Sequence, residues 1–95
     1  MLPKVSTLVA ADVALLMFFG EHRWRIAAPP ATAAANTPLS QSHANRRCSE
    51  LNTLGLLEIA DDRGYYRITD LGVRYLNGTI SDEDVEEIEE IDTER

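Results

Sequence analysis

The sequence predicts an α+β fold, mostly α, with a small two- or three-stranded β-sheet and an extra acidic helix at its C-terminal end. Three observations carry that expectation. Ser40 to Leu54 has the spacing of a capped amphipathic helix, Leu56 to Ile68 holds two strand-like runs around a turn, and residues 79–95 contain nine of the sixteen acids. Ninety-five residues suffice for one domain near the small end of what buries its own core. The expected division is a folded body over 1–78 and an acidic helix or tail over 79–95.

Residues 7–19 read as the first helix, with Ser6 or Thr7 as cap and Asp12 in the early turns. The helix is apolar on most sides, so it packs on two faces or lies at a dimer contact, with Leu8, Leu15 and Phe19 as its candidate dimerisation residues. Gly20 is an end signal. Arg23-Trp24-Arg25-Ile26 alternates charged and apolar residues, as a short strand does. Pro29-Pro30 then breaks the chain and opens a short, small-sided helix through Asn36, because proline is tolerated in a first helical turn. An alanine-rich linker is the alternative for that stretch.

The third helix begins at the cap Ser40, with Leu39 as a possible staple before it. At 100° per residue Ala44, Cys48 and Leu51 share one stripe with Leu54 at its edge, while Ser42, Arg46, Ser49, Glu50 and Thr53 lie opposite. Asn45 and Asn52 flank one edge, His43 and Arg47 the other. Gly55 fits the left-handed position past the helix end. Leu56–Ile59 and Tyr65–Ile68 form a hairpin with Asp61-Asp62-Arg63-Gly64 at its tip. Thr69-Asp70 caps a fourth helix, Leu71–Leu76, ended by Asn77-Gly78. In the tail, Ser81-x-x-Asp84 is a helix opening, and Val85, Ile88 and Ile91 make a thin apolar stripe. That stripe suits packing on the first helix or on a second copy, which adds Val85, Ile88 and Ile91 to the dimerisation candidates. A disordered acidic end and a DNA mimic covering the basic face are the other readings.

The formal charge of −7 is unevenly spread. Residues 1–78 carry eight basic and seven acidic residues, a balance of +1, whereas 79–95 carry one arginine against nine acids, a balance of −8. Eight arginines stand against one lysine, and together with the acidic excess this resembles the bias of salt-in halophilic archaea. One cysteine forms no internal disulfide, and no Cys/His cluster has zinc-ligand spacing. The apolar run Val13–Phe19 is far shorter than the roughly 20 residues of a membrane span, and no signal-peptide pattern follows it, so a cytoplasmic protein is expected. His22 and His43 belong to no nucleophile motif and no glycine loop cradles a phosphate, so no enzyme, cofactor or metal is expected.

The order helix, short strand, helix, helix, strand, wing, strand, helix is that of a winged helix-turn-helix. Ser42–Leu51 resembles the recognition helix of small archaeal winged-helix regulators, and Leu54-Gly55-Leu56-Leu57-Glu58 is similar to the join that leads into their first wing strand. Gly64-Tyr65-Tyr66-Arg67-Ile68-Thr69-Asp70-Leu71-Gly72 looks like the close of their wing and the start of the last helix. The resemblance covers roughly residues 8–78 and points to MarR-like and phage-repressor-like regulators of haloarchaea and their viruses. The second helix departs from it in being shorter and less polar.

That resemblance implies a third helix lying in the major groove, with its N-terminal half against base edges. Arg46 is then the candidate for bidentate pairing with guanine and Asn45 for adenine, with Ser40, Gln41 and Ser42 reaching bases or phosphates and His43 and Arg47 the backbone. Arg63 would reach the backbone or minor groove from the wing at 60–64, although Asp61 and Asp62 oppose phosphate there. Of Tyr65 and Tyr66 one should face the core, and Trp24 and Cys48 read as packed rather than functional. The expected partner is double-stranded DNA carrying a palindromic operator, bound by a homodimer acting as a repressor, with no small-molecule effector. A winged helix used for protein–protein contact is the competing expectation.

Overall fold

The computed structural model describes residues 8–20 and 26–94. Five helices, α1 (Ala10–Gly20), α2 (Pro30–Ala35), α3 (Gln41–Thr53), α4 (Asp70–Leu76) and α5 (Asp82–Glu94), surround a hairpin of β1 (Leu57–Ile59) and β2 (Tyr66–Ile68). The mostly helical architecture with its two-stranded antiparallel sheet is a winged helix-turn-helix. The expected caps Ser6 and Thr7 and the strand residues 23–25 lie outside the described residues.

Local chemistry accounts for the element ends. The Asp12 carboxylate accepts from the Val9 backbone N–H at 3.0 Å, the acidic half of a capping box. Ser40 Oγ accepts from His43 N–H at 3.2 Å to start α3. At the other end Leu56 N–H donates to Leu51 C=O and Gly55 N–H to Asn52 C=O, with Gly55 at φ 85°, a Schellman motif. The same motif closes α4 at Gly78. Ser81 and Asp84 exchange side-chain-to-backbone hydrogen bonds at 3.1 and 3.3 Å, the predicted opening of α5. The Ser81 N–H bond holds the Asp84 carboxyl below the usual range.

In β1–β2 Leu57 faces Ile68, Glu58 faces Arg67 and Ile59 faces Tyr66. Among the described residues a third strand position adds one bridge to the hairpin, Ala28 to Tyr66, and goes no further toward α2. The reason is chemical: Pro29 has no N–H to extend a ladder, and the chain turns at once into α2. Gly20 ends α1 without a positive φ; a Cβ there would lie 2.9 Å from Leu76 Cδ1, so the residue serves close packing against α4.

A single core collects Leu15, Leu16 and Phe19 of α1, Ala33 of α2, the α3 stripe Ala44, Cys48, Leu51 and Leu54, Leu56, Leu57 and Ile68 at the wing base, Tyr75 of α4 and Ile88 of α5. Burying each of the large side chains stabilises the fold by about 2 kcal/mol. The core also corrects the proposed dimer surface. Leu15, Phe19 and Ile88 are 0 % exposed within one chain and serve its own interior. An all-round apolar α1 has neighbours on every inner side, since α2, α3, α4 and β2 all pack against it. Leu8, Val85 and Ile91 are half-buried.

The joint between α3 and the wing is built by Thr69. Its hydroxyl donates to Gly55 C=O at 2.6 Å and accepts from Gly72 N–H at 3.2 Å, so one side chain ties the end of α3 to the start of α4. Gly72 sits against that joint so tightly that a Cβ would lie 2.5 Å from Leu56 O and 2.6 Å from Ile68 Cγ1. The Thr-x-x-Gly spacing thus has a steric cause.

Candidate nucleic-acid interface

The α2–turn–α3 unit presents one face of α3 to solvent. Ala44, Cys48 and Leu51 are wholly buried, which turns Gln41, Ser42, Asn45, Arg46, Ser49 and Thr53 outward, and Ser40 is exposed at the tip. The face is rich in hydrogen-bond donors and holds one charge, Arg46. His43 is half-buried beside it, its backbone N–H taken by the cap.

Partners separate the arginines. Arg47 turns inward: its Nε and Nη2 donate to the two Asp12 oxygens, both at 2.7 Å, and its Nη1 donates to Glu50 at 3.1 Å. The Asp12 side chain is fully buried and that of Arg47 only 15 % exposed. Arg47, expected at the DNA backbone, is thus engaged in an internal ion pair, and leaving Asp12 would strand a buried carboxylate. Asp12, read from the sequence only as an acid in the early turns of the first helix, is the carboxylate that does this. Its signal was a lone acid within an otherwise apolar helix.

On the wing, Arg63 lies 4.1 Å above the Tyr65 ring and donates through Nε and Nη2 to Asp61 at 3.0 and 2.6 Å. The pairing holds Asp61 below the usual carboxylate range. Asp61 Oδ1 also accepts the Arg63 backbone N–H at 2.8 Å, an Asx turn that shapes the tip together with Gly64 at φ 81°. Arg63, expected to reach DNA with Asp61 and Asp62 opposing phosphate, is thus paired with one of those two acids. Arg67 is held across the strands by Glu58 at 3.0 Å, and Arg74 meets Asp84 at 3.4 Å. Glu58–Arg67 was hidden in the sequence until the strand register placed the two opposite each other. Arg46 is the one arginine among the described residues without a carboxylate partner.

Tyr66 packs against the core, where burial pushes its hydroxyl up, and Tyr65 stays at the wing. Cys48 is buried and its thiol is pushed up to about 12 by that burial and by the nearby Asp12 charge. Such a thiol has no nucleophilic character at neutral pH. Among the described residues no group of His, Cys, Asp and Glu could hold a metal ion, and no helix is long and apolar enough to cross a membrane. Val9 and Met17 of α1 are 52 % and 58 % exposed, and Met17 lines an open groove of about 700 Å³ with Phe18, Pro38 and Leu76.

Comparison with curated proteins and with solved structures returned no match. The sequence model of the winged helix-turn-helix phage repressor family matches residues 1–89, nearly the whole chain, including most of α5. The chain belongs to the winged helix-turn-helix phage repressor family and is, at that level, a DNA-binding regulator.

Proposed function

We propose that the protein is a sequence-specific repressor that reads the major groove of double-stranded DNA with the N-terminal half of α3. The observation that supports this best is the free guanidinium of Arg46 on a face otherwise made of Ser40, Gln41, Ser42 and Asn45. A guanidinium with no internal partner can pair bidentately with guanine O6 and N7, and Asn45 one position earlier can pair with adenine. His43 is in reach of the phosphate backbone from the same turn. Arg63 is the wing's cation for phosphate, but it shares its charge with Asp61, so the wing adds little affinity.

The protein acts as a homodimer on a palindromic operator, with the two α3 helices one turn of DNA apart. Support for pairing comes from the outward side of α1, where Val9 and Met17 leave apolar surface uncovered. Leu8, Val85 and Ile91 border the buried core and are half-buried, which leaves part of each for a second copy. Met17→Glu is expected to shift the dimer toward monomer in sedimentation equilibrium, and an unchanged mass would remove α1 from the interface. The excess of arginine over lysine and the acidic α5 further fit a high-salt cytoplasm of an archaeal host or its virus, the setting we infer for it.

The deciding experiment selects duplexes from a randomised pool with the wild-type protein, then compares selected and random duplex in binding titrations. Arg46→Ala is expected to weaken binding to the selected duplex by about 1–3 kcal/mol and to relax preference at one base position. Equal loss on selected and random DNA would contradict base reading by Arg46.

A further inference from the structure

We propose that Asp12 is a positioning residue for DNA reading: through the fork of Arg47 it fixes the orientation of α3 on α1, and so sets where Arg46 meets a base. The inference rests on the reading of Arg46 given above.

The apolar contact beneath α3 is made by Ala44, Cys48, Leu51 and the cap residue Leu54, two of them small side chains. Apolar contact is non-directional, and small smooth groups resist rotation and sliding weakly. The Arg47 fork supplies the direction that this contact lacks, because a planar guanidinium and a carboxylate meet in one geometry. Both Asp12 oxygens take a guanidinium N–H at 2.7 Å, and Oδ2 also takes the Val9 N–H at 3.0 Å, which locks the carboxylate into the first turn of α1. Glu50, three residues on, holds the outer nitrogen of the same guanidinium. Arg47 adjoins Arg46 in sequence, so any turn of the helix that re-aims Arg46 must stretch the two short bonds to Asp12. Net stability is a weak reason for such a pair, since an apolar pair of similar volume is often as stable or more so. What charge and hydrogen bonding add here is a fixed angle.

The test uses the full chain, with Asp12→Leu and Arg47→Met combined and the duplex selected by the wild-type protein as probe. The double variant is expected to fold with a thermal midpoint at or above that of the wild type and to keep its affinity for random duplex within about twofold. Its ratio of selected to random affinity is expected to fall about tenfold, the size of coupling typical of contacting residues. Residual dipolar couplings of the α3 amides are expected to show a changed axis relative to α1. A folded double variant with wild-type discrimination and an unmoved α3 axis would overturn the proposal. Should that variant not fold, Arg47→Lys decides: it keeps a positive charge opposite Asp12 and removes the fork, so an undiminished ratio overturns the positioning role. The helix-axis measurement involves no DNA. A failure of base reading, seen with Arg46→Ala, therefore stays distinguishable from a failure of the clamp.

Discussion

Arg46 on α3 and Arg63 on the wing are the same side chain at the two places where a winged helix meets DNA, yet their surroundings differ completely. Arg46 stands on a polar face with no carboxylate in contact among the described residues, whereas Arg63 is folded onto Tyr65 and bonded three times to Asp61, counting its backbone N–H. Arg67 repeats the wing pattern with Glu58. A count of cations would rank the two regions equal, with Arg46 and Arg47 on α3 and Arg63 and Arg67 on the wing. Partners break that tie, because a paired arginine must lose one anion before it gains another. Among the described residues, arginine charge without a carboxylate partner is concentrated at one guanidinium per chain, and the specificity proposed above rests on α3.

The largest expected effect attacks the joint between the two regions. Gly72→Ala would force a methyl to within 2.5 Å of Leu56 O and is expected to destabilise the fold by about 3 kcal/mol in urea denaturation followed by far-UV circular dichroism. A loss under about 1 kcal/mol would mean that α3 and the wing are joined more loosely than the Thr69 hydrogen bonds indicate. Next in size is the Arg46→Ala loss on selected DNA. The comparison is sharpest against Arg63→Ala, for which a change below about 0.5 kcal/mol is expected. If Arg63→Ala cost as much as Arg46→Ala, the contrast between free and paired arginines would collapse. The smallest effect has the opposite sign. Asp61→Asn keeps the oxygen that accepts the Arg63 N–H but removes the charge, and is expected to tighten binding to random duplex and steepen the logarithmic salt dependence by about one unit per chain.

The parts of the fold governed by local chemistry were readable in the sequence. Ser40, Gly55, Ser81 and Asp84 act within one helical turn of themselves, and the 100° spacing of Ala44, Cys48 and Leu51 needs no knowledge of what covers it. Long-range partnerships were not readable. Asp12 and Arg47 lie 35 residues apart, and nothing local tells that an acid in α1 reaches an arginine in α3. The same limit misplaced Leu15, Phe19 and Ile88, since an apolar helix face looks identical whether α4 or a second copy covers it. In the candidate site the face of α3 was legible, whereas the state of each arginine depended on neighbours brought in by strand register and by the turn at Asp61.

Cys48 gives the molecule an internal clock. The one thiol of the chain lies wholly buried on the inner stripe of α3, so it can meet a reagent only when that helix lifts from the body. In the folded state its proton is held up to about 12, while in an opened segment it returns to an ordinary thiol near 8.5. The sign follows: this group favours the fold fully below the unfolded value and loses that contribution as pH rises toward about 12. Wild-type stability should therefore fall between about pH 9 and 11 more steeply than that of Cys48→Ala, as read from urea midpoints. At neutral pH the alkylation rate of Cys48 divided by that of the unfolded chain gives the opening equilibrium of α3 directly. DNA that binds only the docked helix must slow that labelling in proportion to its occupancy, so the thiol reports recognition without touching the DNA.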